Sequence, residues 1–309
     1  MIPSIFRRSI SLAEHLVEMA GALVRVKDGE IEVLTDPKVR WCPLRASLYE
    51  IGEESRTTVE LVLRGHMEEL GMYGPHRVLE LSDRPVSFGA SEMIADAMRS
   101  GLVDAAVVVC EGAGTLVAAR PEVVAAIGAH MTGLVKTEPI EEVQAGLSER
   151  GCILLDDLCT IDQVEGYKRA LAAGYHRIVV TITGRRAFEA GEIRKTASAS
   201  ACGQAGEEPV IFAVHNLDVA EDQAEVLAET CDVVWGCASR EVREVVGKRA
   251  KLQIGISIPV YALTDSGKRL VLNRALAFDE SLVMHRATLP YGPEEKLPVY
   301  QGLRGPNKG

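Results

Sequence analysis

The stretch RIVVTITGRRAFEAGEIRKTASASACGQAGEEPVIFAVHN, residues 177–216, decides the fold class. It opens on Ile178-Val179-Val180 and closes on Val210-Ile211-Phe212, two runs that are apolar at consecutive positions instead of alternating. A strand that is apolar on both faces belongs inside a parallel sheet covered by helices. The polar and small-residue segment between the runs predicts a helix over 186–199. The unit therefore reads strand–helix–strand.

The same pattern extends in both directions. Apolar runs occur in RVLEL (77–81), DAAVVVC (104–110), GLVKT (133–137), CILLDD (152–157), DVVWGCAS (232–239) and IPVYALT (258–264). Helical periodicity predicts helices over 90–100, 121–130, 139–150, 161–173, 219–230, 239–248 and 265–276. Thr160 and Gln163 have the spacing of a capping box. The expectation is an α/β protein with a doubly wound, mostly parallel open sheet. A (β/α)8-like barrel is the alternative, because the number of units is close to eight.

The N-terminal quarter is unlike the rest. Residues 9–20 read as an amphipathic helix. ALVRVKDGEIEVLT carries Asp28-Gly29 between two alternating runs, a strong hairpin signal. A second helix is expected near 57–71. The organisation read from this is a helix, hairpin and helix over 1–75 packed on the main unit, an α/β unit over 76–287, and a Pro/Gly-rich loop tail over 288–309.

Composition narrows the function classes. The 309 residues are 47% hydrophobic, and 34 basic against 44 acidic side chains leave a charge of −10. That is too apolar for a disordered chain. It is too acidic for a general nucleic-acid binder, which needs a basic footprint on phosphates. No apolar run approaches the roughly 20 residues of a membrane span. The start of the chain lacks an apolar core followed by a cleavage site, so a cytoplasmic protein with reduced thiols is expected.

In parallel α/β sheets ligands bind beyond the carboxyl ends of the strands. The residues just past each run include Cys110 and Glu111, Thr183 and Gly184, His215 and Asn216, and Cys237 with Ser239. Cys152 and Cys231 precede their runs and read as packing residues, as does Cys202 at a helix end. Cys42 lies in Trp41-Cys42-Pro43-Leu44, where Pro43 holds it extended. Cys42, Cys110 and Cys237, assisted by His215, would make a thiolate-rich site for zinc or an iron–sulfur cluster if they converge. Ser87, Gly89 and Ser91 open a helix, and Gly112, Gly114 and Thr115 form a glycine-bearing loop. With Ser239 these are candidates to hold a small anionic ligand or cofactor. In the enzyme reading Cys110 or Cys237 is the nucleophile, with Glu111 or His215 carrying the proton. The third reading is a non-catalytic member of a protein assembly, and a homodimer is compatible with it.

Several stretches together resemble the methanogenesis marker protein 8 family, a domain of unknown function. They are Cys42-Pro43-Leu44, FGASE (88–92), DAAVVVCEGAGT (104–115), Gly133-Leu134-Val135 with Thr137, IDQVEG (161–166), IFAVH (211–215), Cys237-Ala238-Ser239 and Ile258-Pro259-Val260. The resemblance covers about residues 16–290. It implies an accessory role in methanogen-type one-carbon metabolism, linked to maturation of methyl-coenzyme M reductase or its nickel cofactor, with no known reaction. Its motifs include Cys42, Cys110 and Cys237.

Overall fold

The computed structural model describes residues 13–82, 86–129, 133–200, 208–292 and 299–300. Its centre is an open eight-stranded sheet in the order β12-β13-β11-β10-β9-β5-β6-β8. The inner strands β5 (Ala105–Cys110), β9 (Ile178–Thr183), β10 (Val210–Val214) and β11 (Val233–Trp235) are parallel. The outer pairs are antiparallel: β6 (Gly114–Ala118) and β8 (Ile153–Leu154) on one side, β13 (Val260–Ala262) and β12 (Leu252–Ile254) on the other. Two free edges, β12 and β8, exclude the barrel.

The continuous apolar runs follow from burial on both faces. Side chains alternate across a strand. Thus Ala106, Val108, Phe212, Val214, Val233 and Trp235 enter one core. Ala105, Val107, Ile211, Ala213 and Val234 enter the other. The first core is roofed by α3 (Ala90–Arg99), α4 (Pro121–Gly128), α5 (Glu141–Glu149) and α10 (Asp265–Leu276). The second is covered by α6 (Gln163–Ala172), α7 (Phe188–Ser200), α8 (Glu221–Thr230) and α9, a π-turn over Val242–Val246 that continues through Gly247–Arg249.

The N-terminal region corrects one expectation. Within the predicted helix 9–20, residues Glu14–Met19 form strand β1, while residues 9–12 lie outside the described chain. His15, Val17 and Met19 point inward and their neighbours do not, a period of two that fits a half-buried strand. β1 turns through Ala20 and Gly21, both left-handed, into β2 (Ala22–Lys27). The expected hairpin comes next: Asp28 (φ 54°) and Gly29 (φ 79°) join β2 to β3 (Glu30–Val33). This small sheet packs on α2 (Arg56–Leu70) through Val17, Val24, Val59 and Leu63.

The fourth strand of the small sheet comes from the main unit. β7 (Gly133–Lys136), the GLVKT run, pairs with β1 and not with the large sheet. It stitches the two sheets together beside the carboxyl edge of the parallel strands. RVLEL forms no strand, and its Arg77 and Leu79 are buried in irregular chain. β4 (Val39–Trp41) leads into a short helix α1 (Pro43–Tyr49) and pairs with β14 (Val299–Tyr300), a two-residue strand in the tail expected to be loop.

Candidate functional site

Two connected cavities lie between the carboxyl edge of the parallel strands, the small sheet and the start of α3. The larger, of about 680 Å³, is lined by Cys42, Tyr49, Phe88, His215, Trp235 and Cys237 among others. The smaller, of about 270 Å³, reaches Gln163, Thr181, Thr183, Arg185, Arg186 and Glu189. Glu18, Ala90, Ser91, Gly128, Val214 and His215 line both, so His215 stands at the neck. A mostly apolar cleft with a few placed polar groups is the usual form of a small-molecule site.

The strand ends present His215 and Cys237 in an unusual backbone state. Both are left-handed, with φ 52° and 40°. Non-glycine residues held there cost energy and gather at functional positions. Asn216, fully buried, fixes them. Its Nδ2 donates to the carbonyls of Ala213 and Trp235, both at 2.8 Å, tying the end of β10 to the end of β11. The Asn216 amide donates to the Cys237 sulfur.

Electrostatics keep both side chains neutral. Burial lowers the His215 imidazole to about 4, and no hydrogen bond to its ring is found among the described residues. Burial raises the Cys237 thiol to about 11, against the Asn216 amide, and the neighbouring Cys42 adds to the rise. Cys42 stands at the start of α1, where the amides of Arg45 and Leu44 approach its sulfur. Burial outweighs those amides, and the Cys42 thiol is raised. Neither cysteine is an activated thiolate at neutral pH.

The wall of the larger cavity is braced from behind. Trp235 Nε1 donates to the Phe88 carbonyl at 2.9 Å, and Arg274 Nε donates to that of Ser87 at 2.7 Å. Arg274 also holds Asp96 at 2.8 Å, both side chains being almost wholly buried.

The smaller cavity carries two ion pairs that no sequence motif marks: Arg185 with Glu18 at 2.5 Å, and Arg186 with Glu189 at 2.7 Å. Beneath them Gln163 donates from Nε2 to the Val107 and Thr181 carbonyls and accepts from Thr115 Oγ1. It is not the end of a capping box, since Asp162 caps α6 by accepting from the Glu165 amide. Arg185 and Arg186 come directly after Gly184 at the end of β9, so extending the strand-end rule by one turn would have reached them.

Cys110 and Glu111 lie apart from this cleft. Three strand steps of roughly 4.8 Å put the ends of β5 and β11 roughly 14 Å apart. Cys110 is fully buried and lines neither cavity. Its thiol approaches the Glu111 carbonyl at 3.4 Å. Glu111 meets Arg77 at 2.5 Å, and Arg77 also donates to the Val78 and Ala126 carbonyls. His15 and the Gly112 amide both reach Thr137 Oγ1 at 2.7 Å. Burial, reinforced by Glu111, pushes the Cys110 thiol well up. This is a sealed polar knot. The geometry gives no support to Cys110 as a nucleophile or Glu111 as a proton carrier.

Of the residues expected to hold an anion, Ser87, Gly89 and Ser91 line the larger cavity, and the other four, Gly112, Gly114, Thr115 and Ser239, line neither cavity. At the start of α3 the Glu92 carboxylate accepts from the Val86 amide at 3.0 Å and from Ser91 Oγ at 2.8 Å. A Cβ on Gly89 would collide with that carboxylate, so Gly89 makes room for it. Ser87 contributes its carbonyl to Arg274. Gly112 (φ 78°) and Gly114 (φ 70°) form the tight β5–β6 turn, the latter against the Cys159 backbone. Thr115 exchanges hydrogen bonds with Thr160, Asp162 and Gln163, and Ser239 Oγ accepts from the Val242 amide.

The expected metal set does not assemble. Cys42, Cys237 and His215 share a cavity, but Cys110 is elsewhere. Among the described residues no group of three His, Cys, Asp or Glu side chains is placed to hold a metal ion. Cys152 and Cys231 pack in the two cores, and Cys202 lies outside the described residues. No helix among the described residues is long and apolar enough to cross a membrane.

The protein titled "Uncharacterized protein MJ0054" of Methanocaldococcus jannaschii is 31% identical over 277 residues, 87% of this chain and 93% of its own length. Residues 15–276, from β1 to the end of α10, match the family described as uncharacterized protein conserved in archaea (DUF2099). The chain therefore belongs to that archaeal family.

Proposed function

We propose that the protein binds a small, largely apolar organic molecule in the paired cavities at the carboxyl edge of its parallel strands. His215 is the observation that carries this reading. It is a neutral imidazole in a left-handed backbone state, without a protein partner among the described residues, at the neck between the two cavities. Holding a non-glycine residue in that backbone state has a cost that a functional role at the neck accounts for. The protonated thiols of Cys42 and Cys237 are neighbours of that molecule, and their raised values favour binding over nucleophilic attack. An accessory role in methanogen-type one-carbon metabolism is the setting we propose for this binding, and it rests on the family resemblance.

The test uses the two tryptophans. Trp235 lines the larger cavity and Trp41 does not. In a Trp41→Phe variant, 8-anilinonaphthalene-1-sulfonate in the cleft takes up the emission of Trp235 by energy transfer. Alkylation of Cys237 with iodoacetamide should abolish that transfer. An unchanged Trp235 emission at saturating dye, or transfer indifferent to alkylation, would overturn the reading.

A further inference from the structure

Residues 40–54 form a loop that is closed at its neck. The Glu54 amide donates to the Arg40 carbonyl at 2.9 Å, and Arg40 Nε donates to Glu53 Oε1 at 3.1 Å. Loops whose ends meet in this way are compact bodies and are often functional. The tip of this one is α1. Pro43 opens the helix, where its missing amide costs nothing. Glu50, left-handed at φ 56°, ends it, and the next residue, Ile51, is buried in the core of the small sheet.

α1 stands over the larger cavity. Every residue of it except Ala46 lines that cavity, and none is buried. Leu44 and Leu48 are four residues apart and so share a face of the helix. Leu44 is only half-buried and Leu48 is exposed. A surface helix ordinarily buries its apolar stripe on a core. Here the stripe borders open space. Two turns of helix are too short to persist alone in water, so the bonds that hold α1 decide how often it leaves.

Two side chains make those bonds, and they act differently. Arg45 donates to both carboxylate oxygens of Glu54, at 2.5 and 3.1 Å. Glu54 stands at the neck of the same loop, so this fork braces the loop from within. Tyr49 reaches outside the loop. Its hydroxyl shares a hydrogen bond of 3.0 Å with Nε2 of His66, in α2 on the cavity wall. Their rings lie 5.7 Å apart. A swing of α1 away from the cavity keeps the Arg45 fork and breaks the Tyr49 bond.

We propose that α1 is a lid on the larger cavity. It swings with its loop on the clasp between Arg40 and Glu54, and Tyr49 with His66 is its latch. An apolar molecule filling the space beneath completes the burial of Leu44 and Leu48 and holds the lid shut. The lid rests on the cleft reading and adds how a molecule enters the cleft and is retained.

Hydrogen exchange of the full chain, read by NMR with and without 8-anilinonaphthalene-1-sulfonate, tests the lid. In the free protein the amides of residues 46–49 should share one opening equilibrium. They should be at least tenfold less protected than those of Val62 and Leu63 in α2. Saturating dye should slow their exchange at least tenfold, because it binds the closed form. Tyr49→Phe keeps the ring and removes the latch. It should quicken their exchange about fivefold, the scale of one ordinary hydrogen bond, and quicken dye release by the same factor. Protection equal to that of α2, or exchange unaltered by dye that is bound, overturns the lid and leaves the cleft reading standing. Protection that falls off gradually from residue 46 to 49 means a fraying helix end and overturns the lid as well. Dye that does not bind overturns both. The measurements on native protein need no variant, so a misfolded Tyr49→Phe chain does not rescue the proposal.

Discussion

His215 with Cys237, and Cys110 with Glu111, occupy equivalent places at the ends of parallel strands, yet their surroundings are opposite. At β10 and β11 the chain leaves the sheet in left-handed turns that open on a cleft. At β5 it folds straight back as β6, and β1 with Thr137 and Arg77 closes over the turn. The same residue types thus become exposed chemistry at one end of the sheet edge and a structural knot at the other. Position at a strand end is necessary for a site of this kind, but an open face beyond it decides whether there is one.

The largest effect that would break this contrast concerns the knot. Arg77→Met leaves Glu111 buried without its cation and should cost about 3–5 kcal/mol in urea unfolding. The double variant Arg77→Met/Glu111→Gln should recover part of it. A loss below about 1 kcal/mol would remove Arg77 and Glu111 from the structural side of the comparison.

Acid comes next. Burial holds both His15, in the knot, and His215, in the cleft, neutral down to about 4 from an ordinary 6.5. The unfolded chain takes up their protons from about pH 6.5 and the folded chain only near 4. Stability from these two groups is therefore complete above about pH 6.5 and is lost as pH falls toward 4, with a slope of up to about 1.4 kcal/mol per pH unit for each. Replacing either by Asn should remove its share of the slope. A bound molecule should alter only the share that belongs to His215.

A smaller effect isolates the backbone. At His215 glycine should be more stable than alanine by about 1 kcal/mol, the reverse of the ordinary order, because only glycine occupies φ 52° freely. Equal stabilities in thermal unfolding would mean that the turn relaxes.

The least perturbing measurement is thiol labelling. Iodoacetamide should modify Cys42 and Cys237 in the folded protein, slowly at neutral pH and about tenfold faster per pH unit while the thiols remain protonated. Cys110 and Cys231 should react only on unfolding. Labelling of Cys110 at the rate of Cys237 would erase the distinction.

Much of the fold was legible because its signals are local. The doubled apolar runs at 105–109, 178–180 and 210–214 are strands, and Asp28-Gly29 is the turn it was expected to be. The helix expected over 265–276 has those bounds. Glu14–Met19 was misread because HLVEM serves either a helical or a two-residue period when its partner strand is unknown. Gly133–Lys136 could not be assigned to a sheet at all, since pairing with β1 is a contact across more than a hundred residues.

Residue order alone therefore determined the class of fold, the direction of its inner strands and the short set of residues at their carboxyl ends. It did so because periodicity and turn chemistry are properties of neighbours along the chain. Tertiary structure alone decided which of those residues face open space, that Cys110 is sealed away from the cavity that Cys237 lines, and that Arg185 and Arg186 reach the smaller cavity. Those outcomes depend on which strand lies beside which, and on a small sheet folding over one end of the edge and leaving the other open.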